Sequence, residues 1–121
     1  MAQIDDKQAI IEIVIKYADA LKRDVEVSKI FIFGSYSRGQ QHVDSDIDVA
    51  IVSPDFTDDI IENQVRLMKY RREIDLRIEP RPFKPAEFNS HNPLAREIME
   101  TGIELLPTVQ ETSADYTSEP F

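Results

Sequence analysis

The chain has 121 residues, with 23 acidic against 14 basic side chains for a formal charge of -9 at pH 7, and it contains no cysteine. That length supports one small domain and leaves no room for a second, while the acidity opposes a long nucleic-acid track because phosphates would be repelled before contact. Disulfides and thiolate metal sites are excluded; no segment approaches a membrane span, and the N-terminus carries no signal or transit pattern, which predicts cytoplasmic residence.

In chain order, Ile10, Val14, Tyr17, Ala18 and Leu21 recur at helical spacing and predict an amphipathic helix ending near Lys22-Arg23-Asp24. Lys29-Ile30-Phe31-Ile32-Phe33 has the composition of a buried strand and ends at Gly34, where a sharp turn is permitted. A second apolar run opens at Asp46-Ile47-Asp48 and closes at Ser53-Pro54. Asp58-Asp59 then starts a helix with an apolar stripe of Ile61, Val65 and Met68, its acids suited to the positive end of the helix dipole. Alternation across Glu73-Ile74-Asp75-Leu76-Arg77-Ile78-Glu79 predicts a third strand, with Asp75, Arg77 and Glu79 on one face. Pro80, Pro82 and Pro85 forbid regular helix or central strand afterwards. Ser90 or Asn92 caps a last helix with Pro93 in its first turn and Gly102 at its end, and a short strand follows at 103–106. The domain is expected over 1–106, and 107–121, with three acids and no base, reads as an acidic tail that is disordered when alone. The fold class is α/β, a small mixed sheet with helices against one face.

The chemistry lies in Gly34-Ser35-Tyr36-Ser37-Arg38-Gly39 and the acids that follow it. A phosphate can approach the backbone closely at Gly34, Ser35 offers a hydroxyl and an N–H, and a helix starting there presents further unpaired N–H groups. Asp46 and Asp48 stand two apart in a strand and therefore share a face, the arrangement that a hard ion such as Mg²⁺ requires. Asp75, from a neighbouring strand, is the candidate third acid of a two-ion site. Asp44 suits a turn cap and is left outside the metal set. Arg38 either contacts phosphate or pairs with an acid of the fold. His42 and His91 have no partner at metal-ligand spacing.

The run from Gly34-Ser35 through Arg38-Gly39 to Ser45-Asp46-Ile47-Asp48 resembles the signature of the nucleotidyltransferases of the DNA polymerase beta superfamily, and most closely its minimal, single-domain branch. The resemblance extends more weakly over 10–106. It implies that Gly34 and Ser35 hold a triphosphate, that Arg38-Gly39 shapes the loop, and that Asp46, Asp48 and Asp75 hold two Mg²⁺ ions. Minimal members are often antitoxins paired with a HEPN-domain ribonuclease, some of which transfer AMP to a tyrosine of the toxin. The resemblance thus implies an enzyme that moves AMP from ATP to a hydroxyl of a HEPN-type toxin. Two alternatives stand beside it: a small-molecule, antibiotic-type nucleotidyltransferase completed by another subunit, and a non-catalytic antitoxin that neutralises by binding.

Overall fold

The computed structural model describes residues 7–34 and 46–105. Helix α1 (Lys7–Leu21) leads into β1 (Lys29–Phe33); β2 (Ile47–Val52), α2 (Ile60–Arg71) and β3 (Ile78–Phe83) form a strand–helix–strand unit; and a 3-10 turn at Pro85–Glu87, α3 (Pro93–Thr101) and β4 (Ile103–Glu104) complete the chain. The four strands form one sheet in the order β3-β2-β1-β4, with β2 and β3 parallel and both contacts of β1 antiparallel. The acidic tail, beyond residue 106, lies outside the described residues.

Strand alternation sorts the core into two layers. Ile30 and Ile32 of β1, Ile47, Val49 and Ile51 of β2, and Ile78 of β3 pack against Ile10, Val14, Tyr17 and Leu21 of α1 and Leu67 of α2. Phe31, Ala50, Val52 and Phe83 point the other way, onto Ala95 and Ile98 of α3, with Phe88 packed between Phe31 and Phe83 at centroid distances of 5.2 and 5.1 Å. The mixed sheet is as expected, whereas the helices are not confined to one face: α1 and α2 cover one side and α3 the other. The sequence signal for this was the near-continuous apolar run of β2, which marks a strand covered on both sides.

The expected stripe of α2 is also displaced. Ile61 and Val65 are 73% and 61% exposed, and the inward positions are taken by Asn63 and Leu67, with Tyr70 and Ile74 continuing the same row. A polar residue can hold an inward position because both ends of its amide are satisfied: Asn63 Oδ1 accepts from Thr57 N–H at 2.9 Å and Nδ2 donates to Thr57 C=O at 2.8 Å. The helix begins after Asp58-Asp59 as predicted, and Asp59 serves as its N-cap, its side chain accepting from Glu62 N–H. Tyr17, fully buried, ties α1 to α2 by donating its hydroxyl to Leu67 C=O at 2.7 Å, and burial pushes its pKa up.

Pro80 and Pro82 fall inside β3 without disrupting it, because β3 is an edge strand. Ile47 N–H donates to Arg77 C=O and Ser53 N–H to Phe83 C=O, so the odd-numbered residues of β3 face β2 and the even-numbered ones turn their backbone outward. Both prolines therefore sit where a ladder donor is not needed. Two of the outward carbonyls are occupied by α2: Arg71 Nη1 donates to Ile78 C=O at 2.8 Å and Gln64 Nε2 to Pro80 C=O at 2.9 Å. At the other end of the chain, Asn92 caps α3 by accepting from Leu94 and Ala95 N–H, and Gly102 closes it, its N–H donating to Ile98 C=O.

Candidate active site

Three strand ends meet at one edge of the molecule: the end of β1, the start of β2 and the start of β3. Gly34 follows β1 with φ 75°, a left-handed conformation in which a side chain is strained. Space forbids a side chain there as well. A Cβ on Gly34 would overlap Asp48 Oδ2 outright and stand 3.1 Å from Asp48 Cγ. The glycine is thus fitted to the carboxylate, and any phosphate seated on this turn lies beside Asp48.

Asp48 is the second residue of β2, in register with Phe33 of β1 and Glu79 of β3. It is half-buried, and Asp46, just before the strand, is exposed. Their spacing places both at the mouth of the sheet on the face covered further along by α3. The expected pairing of Asp46 with Asp48 is therefore compatible with the backbone. Ser35 and Arg38 lie outside the described residues.

Alternation puts Asp75 on a strand, and the structure does not. β3 starts only at Ile78, and residues 72–77 form turns in which Leu76 is 66% exposed. The alternation was broken by local hydrogen bonding: Asp75 Oδ1 accepts from both the backbone N–H and Nε of Arg77, at 2.9 and 3.0 Å, and Oδ2 accepts from Arg77 Nη2 at 2.8 Å. The Arg77 side-chain hydrogen bond holds the Asp75 carboxyl below the usual range against the opposing effect of burial, with the backbone donor adding to it. The residue that the register sets beside Asp48, on the same face, is Glu79. Its carboxylate lies 3.5 Å from Arg71 Nη1. Alternation puts Asp75 and Glu79 on one face alike, and no local signal in the sequence separates them; the register with β2 does. Among the described residues, no three carboxylate, imidazole or thiol groups converge closely enough to hold an ion.

A mixed sheet with a glycine turn pressed against a strand-mouth carboxylate matches the architecture of the nucleotidyltransferase class. The chain belongs to the nucleotidyltransferase domain family, whose model matches residues 14–105. It is 55% identical over 31 residues to the protein adenylyltransferase MntA of Shewanella oneidensis, a match covering 26% of this chain and 22% of that relative. A protein of Methanocaldococcus jannaschii, provisionally named a protein adenylyltransferase, is 40% identical over 60 residues, covering 43% of this chain and 70% of the relative. Among solved structures, a toxin–antitoxin with AMP-PNP superposes with a TM-score of 0.58 at 27% identity, covering 84% of this chain and 76% of that one. A mutant of the toxin–antitoxin MntA-HpeT superposes at 0.55 and 28% identity, covering 79% and 73%. A crystal structure from Sulfolobus solfataricus, at 14% identity and a TM-score of 0.63 over 82% of this chain and 81% of the other, shows the same fold.

Proposed function

We propose that this protein is an antitoxin that transfers AMP from ATP to a hydroxyl, most simply a tyrosine, of a partner ribonuclease toxin of the HEPN class. The observation that carries the reading is the fit of Gly34 against Asp48 at the mouth of β2, in a chain similar to a protein adenylyltransferase and to toxin–antitoxin structures. Gly34 and Ser35 seat the triphosphate, and Arg38 steadies the loop or a phosphate. The oxygen donors of Asp46 and Asp48 suit Mg²⁺, which when bound would offset the charge of the triphosphate. Glu79, in register with Asp48, takes the place that the sequence offered to Asp75, which precedes β3 and is held in a turn by three hydrogen bonds from Arg77. In the reaction the acceptor oxygen bonds to the α-phosphorus, the bond to the β-phosphate oxygen breaks, pyrophosphate leaves, and Glu79 receives the hydroxyl proton. What the protein contributes is positioning and charge, with no covalent step of its own.

A non-catalytic antitoxin is the second reading, and one observation favours it: Asp75 and Glu79 are each paired to an arginine and no described trio of carboxylates converges. One experiment separates the two. The partner is incubated with a small fraction of this protein and Mg·ATP, then weighed intact. A mass gain in AMP units with loss of ribonuclease activity, absent in the Asp46→Asn/Asp48→Asn double variant, supports catalysis. Inhibition only at equal molar ratio with unchanged mass refutes it.

A further inference from the structure

We propose that Arg81 is the residue that selects the acceptor, by pairing with a carboxylate of the partner close to the hydroxyl that is modified; this rests on the transfer reaction proposed above. The order of the strands gives each a share of the site. β1 ends at the phosphate turn, β2 next to it carries Asp46 and Asp48, and β3 lies on the far side of β2 from the turn. A triphosphate seated at Gly34 therefore leaves the β3 side for the acceptor. Arg81 stands two residues beyond Glu79 on the same face of β3, about 6.6 Å along the strand, in register with Ala50. Its register partner on β2, Ala50, brings no charge beside the guanidinium, and a side chain of arginine's length spans that distance.

Arg81 is exposed and has no hydrogen-bond or ion-pair partner among the described residues. The cationic neighbours along this edge are committed: Arg71 to Ile78 C=O and Glu79, Arg77 to Asp75, Lys84 to Asp58. Glu87, the other nearby acid, accepts from the backbone N–H of Lys84. Arg81 also forms one wall of a cavity of about 360 Å³ at the β3 edge, whose apolar lining includes Phe56, Ile60, Pro82 and Phe83. Ile60 is 74% exposed there. A guanidinium without an ion-pair partner among the described residues, beside a partly apolar groove that Asp58, Lys84 and Glu87 also line, fits a peptide segment that carries one carboxylate and one apolar side chain flanking the acceptor hydroxyl. In a chain of net charge -9 a carboxylate would otherwise be disfavoured at this edge, so a single arginine gives discrimination where the general field is repulsive.

The test uses the full chain with Mg·ATP and synthetic tyrosine peptides bearing aspartate, asparagine or lysine two to four residues from the tyrosine. The wild type is expected to label the aspartate peptides at least tenfold faster than the lysine peptides through KM. Arg81→Glu should invert the order, Arg81→Lys should largely keep it, and all three proteins should bind Mg·ATP within twofold of one another by calorimetry. Transfer with a preference unaltered by Arg81→Glu overturns the inference alone. An equal loss of ATP affinity in Arg81→Glu also overturns it, because the residue would then serve the triphosphate. Retained Mg·ATP binding with no transfer to any peptide or to the partner overturns the proposed function and this inference with it.

Discussion

Replacing Gly34 by alanine tests the phosphate turn and the carboxylate together. The backbone at φ 75° costs a non-glycine residue about 1–2 kcal/mol. The added Cβ also overlaps Asp48 Oδ2 and stands 3.1 Å from Cγ, so the carboxylate must rotate away. Displacing a metal-orienting group costs about 10- to 100-fold in metal affinity or activity. Gly34→Ala is therefore expected to lower Tm by roughly 5–10 °C while lowering Mg·ATP affinity or transfer by about 10- to 100-fold, a loss too large for the stability change to explain. The two causes can be separated in an Asp48→Ala background, where the overlapping atoms are gone and only Asp48 Cβ remains, at 3.4 Å, an ordinary contact. There Gly34→Ala should cost only the backbone strain, giving a coupling of about 1 kcal/mol between the two sites. Urea denaturation of the four proteins measures the cycle, and calorimetry with Mg·ATP measures the site. Equal destabilisation in both backgrounds, with wild-type nucleotide binding by Gly34→Ala, would show that the close approach is not what requires a glycine.

Glu79→Gln should reduce AMP transfer at least tenfold more than Asp75→Asn does, measured as initial rate at saturating Mg·ATP; the reverse order would return the third acid to Asp75. Because Arg77 depresses the Asp75 pKa, the ionised carboxylate stabilises the fold above the ordinary value of 3.8, and this contribution disappears as pH falls through the lower folded-state value. Asp75→Asn should accordingly lower Tm near neutrality and flatten its fall below pH 4, read by thermal melts across the acid range. Tyr17→Phe removes the α1–α2 hydrogen bond but leaves Leu67 C=O its place in the helix, so a loss of about 1 kcal/mol in urea denaturation with unchanged Mg·ATP affinity is expected. Asn92→Ala strips two backbone N–H groups at the start of α3 of their acceptor and should cost about 1 kcal/mol by the same assay.

Elements whose signals are local were legible in the sequence. The stripe of α1 from Ile10 to Leu21 is buried as spaced, Asp59 and Asn92 cap the helices they precede, and Gly34 ends the strand it was read to end. Signals that depend on neighbours misled. α2 carries two apolar rows, and the choice of Leu67 over Val65 depends on Asn63 finding its partners in Thr57, which lies outside the helix. Asp75 and Glu79 alternate equally well on paper; the ring of hydrogen bonds from Arg77 to Asp75 ends the alternation, and only the pairing with β2 shows which acid stands beside Asp48. The prolines argued against a central strand, which holds, but could not show that an edge strand would accommodate them until the register was known.

The manner in which β3 is finished has a bearing on how such a protein meets other chains. Its outward backbone lacks donors at Pro80 and Pro82, and α2 occupies its carbonyls at Ile78 and Pro80. At the opposite margin, β4 has two residues. Another polypeptide therefore finds little ribbon to extend by strand addition, and the anonymous backbone pairing through which sheet proteins polymerise is closed off at β3. Recognition at that margin passes through side chains instead, which carry sequence information that backbone groups do not. A sheet margin finished in this way leaves copies of the same chain no backbone template at β3 on which to accumulate.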